Sequence, residues 1–151
     1  GNCFYQLEDF NKALRDYDLA IALNKENSEL WYAKADAEYN LGKIEVSIES
    51  YYKVVKLDKE NYDAMLDLAN TLIETEKYAE ADNMLNIIIN ANQSWAEPYY
   101  TKSKLNFLTG EIETGIKFLE IAFTFNPHER FEYNFSEDWE KILQFLIARD
   151  N

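Results

Sequence analysis

Residues 31–57, WYAKADAEYNLGKIEVSIESYYKVVKL, are answered 34 positions later by MLDLANTLIETEKYAEADNMLNIIINA (65–91) and again by YYTKSKLNFLTGEIETGIKFLEIAFTF (99–125). No insertion or deletion breaks this register. Trp31, Met65 and Tyr99 share one column; Gly1, Ala35, Ala69 and Ser103 share a second; Ala13, Ser47, Ala81 and Gly115 share a third. Further columns are apolar throughout, such as Phe10, Ile44, Tyr78 and Ile112, or Ala20, Val54, Ile88 and Ala122.

Within each period the apolar residues recur at helical spacing in two blocks, separated by a break such as Leu41-Gly42-Lys43 or Thr109-Gly110-Glu111. Each unit therefore reads as two helices. The columns of Gly, Ala and Ser mark where helices cross closely, because a bulky side chain there would hold the axes apart. One hairpin cannot bury both its apolar faces, so neighbouring hairpins must stack.

These residue types at this period resemble the tetratricopeptide repeat family, with the match running over residues 1–127. The resemblance implies an all-α fold, a right-handed α-solenoid of helical hairpins. Lys34, Glu38, Lys102 and Asn106 depart from it, standing where the family pattern has Leu or Tyr. The register predicts first helices near 28–41, 62–75 and 96–109, and second helices near 10–24, 44–57, 78–91 and 112–125. The array divides into a partial repeat (1–27) and complete repeats at 28–61, 62–95 and 96–127. Gly1 falls at the eighth position of the period, so the chain opens inside a first helix and reads as a fragment. Residues 128–151 are expected to form an aromatic connector carrying Phe131, Tyr133 and Phe135, then a capping helix with Trp139, Ile142, Leu143 and Leu146 on one face.

The family resemblance also implies that the first helices line a concave face where partner segments lie. The residues expected there are Tyr32, Asp36, Tyr39 and Asn40, then Leu66, Asp67, Asn70, Ile73 and Glu74, then Tyr100, Thr101, Lys104, Phe107 and Leu108. Aromatic anchors among carboxylates favour a protein or peptide partner with basic and apolar side chains. Each carboxylate taken alone equally describes a solvated helix face, and Tyr39 and Phe107 equally describe hairpin core. Ser94 and Glu97 read as a capping box. Some members of the family hold a partner's C-terminal carboxylate with basic residues on these inner positions; here Tyr32 and Leu66 occupy the column where a cation would be needed.

An excess of 28 acidic over 15 basic residues, a formal charge of −13, repels polyanions and argues against nucleic acid as a partner. No apolar run is long enough to cross a bilayer. Catalysis lacks its parts: the lone His128 sits beside Pro127, far in the register from the lone Cys3, and the glycines form no phosphate loop. No metal or cofactor is expected, and Cys3 reads as a small packed hydrophobe. The leading expectation is a non-catalytic scaffold that binds a peptide segment. A regulatory or targeting segment of a larger enzyme is the alternative, and a small-ligand sensor with a pocket between the last hairpin and the C-terminal segment is a third. An uncovered face on the first hairpin would promote self-association. The single cysteine leaves the cellular compartment open.

Overall fold

A computed structural model of the chain describes residues 2–126, with side chains from Gln6 onward. The connector and capping helix expected over 128–151 lie outside the described residues, as do His128 and the side chain of Cys3. The described residues form seven helices: α1 (Asn2–Leu23), α2 (Ser28–Asn40), α3 (Ile44–Leu57), α4 (Tyr62–Glu74), α5 (Tyr78–Ala91), α6 (Ala96–Leu108) and α7 (Ile112–Phe125). They belong to two compact units, one ending at Lys77 and the other beginning at Tyr78.

In the first unit α2 and α3 form a hairpin, flanked by α1 against α2 and α4 against α3. Ala35 and Ser47, from the two small-residue columns, are both fully buried. Val54, Leu68, Ala69 and Leu72 complete an apolar interior with no exposed surface. In the second unit α6 and α7 form the hairpin and α5 packs against α6. Here the close approach of the hairpin is visible directly, because Ser103 Oγ donates to the Gly115 carbonyl at 2.7 Å. A Cβ on Gly115 would stand 2.7 Å from the ring of Phe107, so this crossing admits glycine alone without displacement.

The helix ends repeat one device. After α2, Gly42 takes φ +76° and donates its N–H to Tyr39, while Lys43 N–H reaches Glu38, the paired bonds of a left-handed helix stop. After α6, Gly110 at φ +83° does the same, with Glu111 N–H bonded to Asn106. After α4 the place is held by Glu76 at φ +60°, a conformation that costs a side-chain-bearing residue about 1–2 kcal/mol. Tertiary packing of α4 on α3 holds the turn despite the unsuited residue.

Two expectations are corrected at the termini of helices. A partial first helix followed by a separate second helix near 10–24 was expected, but α1 runs unbroken from Asn2 to Leu23. Glu8 stands where Gly42 and Gly110 stand, and it forms a helical i,i+4 ion pair with Lys12 at 3.7 Å, so the local sequence continues the helix. The capping box at Ser94 and Glu97 does not form either: Trp95 is the N-cap residue before α6, and it makes no side-chain cap. Its column neighbours Asn27 and Asn61 do cap, accepting from Glu29 and Leu30 in α2 and from Ala64 in α4.

Candidate functional site

The first unit presents a face built from α2 and α4, with α3 reaching into it. Tyr32 OH donates to Asp67 Oδ2 at 2.5 Å, and Tyr39 OH donates to Glu74 Oε1 at 2.5 Å. Both bonds link residues 35 apart, so each joins the first helix of one repeat to that of the next. Tyr51 of α3 donates to Asp36 Oδ1 at 2.6 Å, with its ring 6.1 Å from that of Tyr32. Seven residues separate Tyr32 from Tyr39 and Asp67 from Glu74, so the two pairs lie about 10 Å apart along the helices.

The electrostatics follow from this crowding. Burial, opposed by the bond from Tyr32 and reinforced by the nearby charges of Asp36 and Asp63, pushes the Asp67 carboxyl above the usual carboxylate range. The bond from Tyr39 to Glu74, together with burial, holds the Tyr39 hydroxyl up at about 12. Tyr32 and Tyr51 are raised as well, by burial first and then by the carboxylates they bond. All three tyrosines therefore stay neutral donors at physiological pH, and their carboxylates keep spare acceptor capacity. An incoming cation would relieve the repulsion among Asp36, Asp63 and Asp67; an anion would add to it.

Asp36 and Glu74 are exposed and Asn70 is half-buried on this face. Leu66 and Ile73, expected beside them, are buried at 4% and 5% exposure. The second unit differs more sharply from expectation. Tyr100 has no exposed surface; its hydroxyl donates to the Asn126 carbonyl at 2.9 Å and its ring meets Phe123 edge-on. Phe107 is buried against Gly115, and Thr101 is buried too. Tyr100 and Phe107 are thus core residues of their unit, because α6 packs on aromatic residues of α7 where open surface was expected. Lys104 and Leu108 remain exposed. Tyr51 was missed, since its column (Tyr17, Tyr51, Leu85, Leu119) reads as core; the hydroxyl in an apolar column was the available signal.

Three of the four departures from the family pattern find polar partners. Lys34 bridges Asp18 at 2.7 Å and Glu38 at 3.7 Å, and its ammonium lies 5.3 Å from the ring of Trp31. Glu38, 3% exposed, also accepts from the buried Ser50 hydroxyl at 2.6 Å. Burial raises the Glu38 carboxyl, with the Ser50 bond and Lys34 opposing that rise. In α6, Lys102 bonds Asp82 at 3.0 Å and also Asn86, with Phe118 under its ammonium at 5.1 Å. Asn106 keeps its buried Nδ2 without an acceptor. Among the described residues no group of His, Cys, Asp and Glu is arranged to hold a metal ion.

Helical hairpins repeated at 34 residues with small-residue crossings define a helical-repeat protein of the solenoid class. Two models of the tetratricopeptide repeat match, over residues 1–61 and 47–105, and the chain belongs to that family. The RNA polymerase II-associated protein 3 of Xenopus laevis is 31% identical over 84 residues, which are 56% of this chain; the chain spans 12% of that protein's length. Among solved structures, MamA superposes with a TM-score of 0.75 at 24% identity, covering 80% of this chain and 70% of its own. The first TPR of Spaghetti (RPAP3) bound to the HSP90 peptide SRMEEVD superposes with a TM-score of 0.69 at 22% identity, covering 80% and 93%.

Proposed function

We propose that this chain is a non-catalytic protein-interaction module and that the α2/α4 face binds an extended partner segment carrying basic and apolar side chains. The single observation behind this reading is the double rung of tyrosine and carboxylate, Tyr32 with Asp67 and Tyr39 with Glu74, flanked by Asp36. Rungs about 10 Å apart correspond to three residues at about 3.1 Å each of a chain in the extended polyproline II conformation, which returns a side chain to the same face every third residue, so two Lys or Arg residues spaced i, i+3 would engage both. Asn70 lies on the same helix face and offers an amide to the segment's backbone. Tyr100 and Phe107 are committed to the core of the second unit.

The relative bound to SRMEEVD takes a peptide rich in carboxylates. Such a peptide would meet Asp36, Asp63, Asp67 and Glu74 here, and like charges juxtaposed at a contact oppose binding. The charge preference of this face is accordingly the reverse.

Fluorescence anisotropy with a labelled peptide bearing two arginines three residues apart, beside SRMEEVD as control, tests the reading. The basic peptide should bind and the acidic one should not. Asp67→Asn together with Glu74→Gln, which keep an acceptor for each tyrosine, should weaken binding roughly tenfold with unchanged circular dichroism. Binding should also tighten as pH rises through the elevated Asp67 pKa, because the cation prefers the ionised carboxylate. Equal binding of both peptides, or indifference to the double substitution, would remove this face as the site.

A further inference from the structure

The α2/α4 face repeats itself once. The pair Tyr32 with Asp67 recurs after two helical turns as Tyr39 with Glu74, so its carboxylates repeat at about 10 Å. Leu66 and Ile73, the apolar residues of α4 expected here, are buried at 4% and 5% exposure, so neither opens an apolar trough. Between the rungs lies one uncommitted polar group. Asn70 falls between Asp67 and Glu74 on α4, is half-buried, and its side chain makes no hydrogen bond among the described residues. The Asn40 amide, by contrast, is spent on the Asp36 carbonyl at 2.7 Å.

The spacing and the amide together discriminate among backbone conformations of a bound segment. A β-strand returns a side chain to one face every second residue, at roughly 6.7 Å and then roughly 13 Å, and misses the repeat both times. A polyproline II chain returns one every third residue, at about 9.3 Å, within reach of two flexible basic side chains. An α-helix also matches, with residues seven apart, but its carbonyls are bonded within the helix and it docks through an apolar groove. The polyproline II backbone has no internal hydrogen bonds, so a carbonyl between the two cations is free to accept from Asn70 Nδ2. Proline at the two intervening positions sets φ near −65° before binding and so removes ordering cost.

We propose that the α2/α4 face selects a proline-bearing basic segment of a partner protein, Arg-Pro-Pro-Arg or Lys-Pro-Pro-Lys in pattern, held in the polyproline II conformation. Its two cations meet Asp67 and Glu74, with Asp36 nearby, and its prolines lie against the half-buried rings of Tyr32 and Tyr39. This selectivity rests on the α2/α4 face being the binding site.

Fluorescence anisotropy with four labelled peptides, each carrying two arginines and blocked ends, tests it: Arg-Pro-Pro-Arg, Arg-Gly-Gly-Arg, Arg-Pro-Pro-Pro-Arg, and an Ala-rich helical peptide with its arginines seven residues apart. Arg-Pro-Pro-Arg should bind at least several-fold more tightly than Arg-Gly-Gly-Arg, which must be ordered on binding. It should exceed Arg-Pro-Pro-Pro-Arg by a similar factor, because a fourth-residue arginine turns away from the face. The helical peptide should be weaker too. Asn70→Ala should weaken Arg-Pro-Pro-Arg several-fold with unchanged circular dichroism. Equal affinity for the proline and glycine peptides, preference for the longer spacing or the helix, or indifference to Asn70→Ala overturns the proposal. If the basic peptides then still lose roughly tenfold with Asp67→Asn and Glu74→Gln, the face remains the site and only its selectivity falls. If no peptide binds, or the double substitution changes nothing, the face itself falls and the proposal with it.

Discussion

Helices α2 and α6 occupy the same place in the register, and both carry polar residues where α4 has the apolar pair Leu68 and Leu72. In α2 the pair is Lys34 and Glu38, and its polar atoms find one another: Lys34 has Asp18 and Glu38, and Glu38 has Ser50. In α6 the pair is Lys102 and Asn106. Lys102 is served by Asp82 and Asn86, but the Asn106 amide is left over. The α2 crossing thus buries a complete polar set, and the α6 crossing an incomplete one that leaves a donor unmatched.

The widest expected difference between the two hairpins comes from the small-residue column. Gly115→Ala should destabilise the chain by about 1–3 kcal/mol in urea unfolding, since its Cβ would press on the Phe107 ring; in α3 the same column holds Ser47, a fully buried residue that already carries a Cβ. Next in size, Asn106→Leu should stabilise by about 1–2 kcal/mol, removing a buried unmatched donor and filling space. Glu38→Leu should bring no such gain, because it strands the buried Ser50 hydroxyl. A gain in both would erase the distinction between complete and incomplete sets.

Acid should sharpen the contrast further. Glu38 binds its proton more tightly in the folded chain than in the unfolded one. Its contribution to stability is thus fully present below the unfolded carboxylate pKa and lost as pH rises through the higher folded value. The melting temperature should fall over that interval, and Glu38→Gln, which still accepts from Ser50, should flatten the fall. The smallest effect concerns the turns: Glu76→Gly should stabilise by about 0.5–1 kcal/mol, bringing the α4 stop into line with those at Gly42 and Gly110.

Most of the helical scaffold was legible in the sequence, because a fixed period reports helix positions column by column. Helices α2–α7 begin at the residues the register gives. The continuity of α1 was not legible, because a turn without glycine forms only where packing enforces it: Glu76 turns and Glu8 does not. The acidic and tyrosine character of the α2/α4 face was readable from Tyr32, Asp36, Asp67 and Glu74. That Tyr100 and Phe107 are core was not, since a column tells which way a residue faces and not what lies against it. Asp18, which Lys34 bridges, and Asp82 and Asn86, which Lys102 bonds, sit 16 to 20 residues away on a neighbouring helix, beyond the reach of local pattern.

The two tyrosine–carboxylate bonds of the first unit have a mechanical consequence. Each spans from one repeat to the next, and the two act side by side, two helical turns apart. A force drawing α2 and α4 apart would load both at once, so the pair works as a double tie that resists stretching until both yield together.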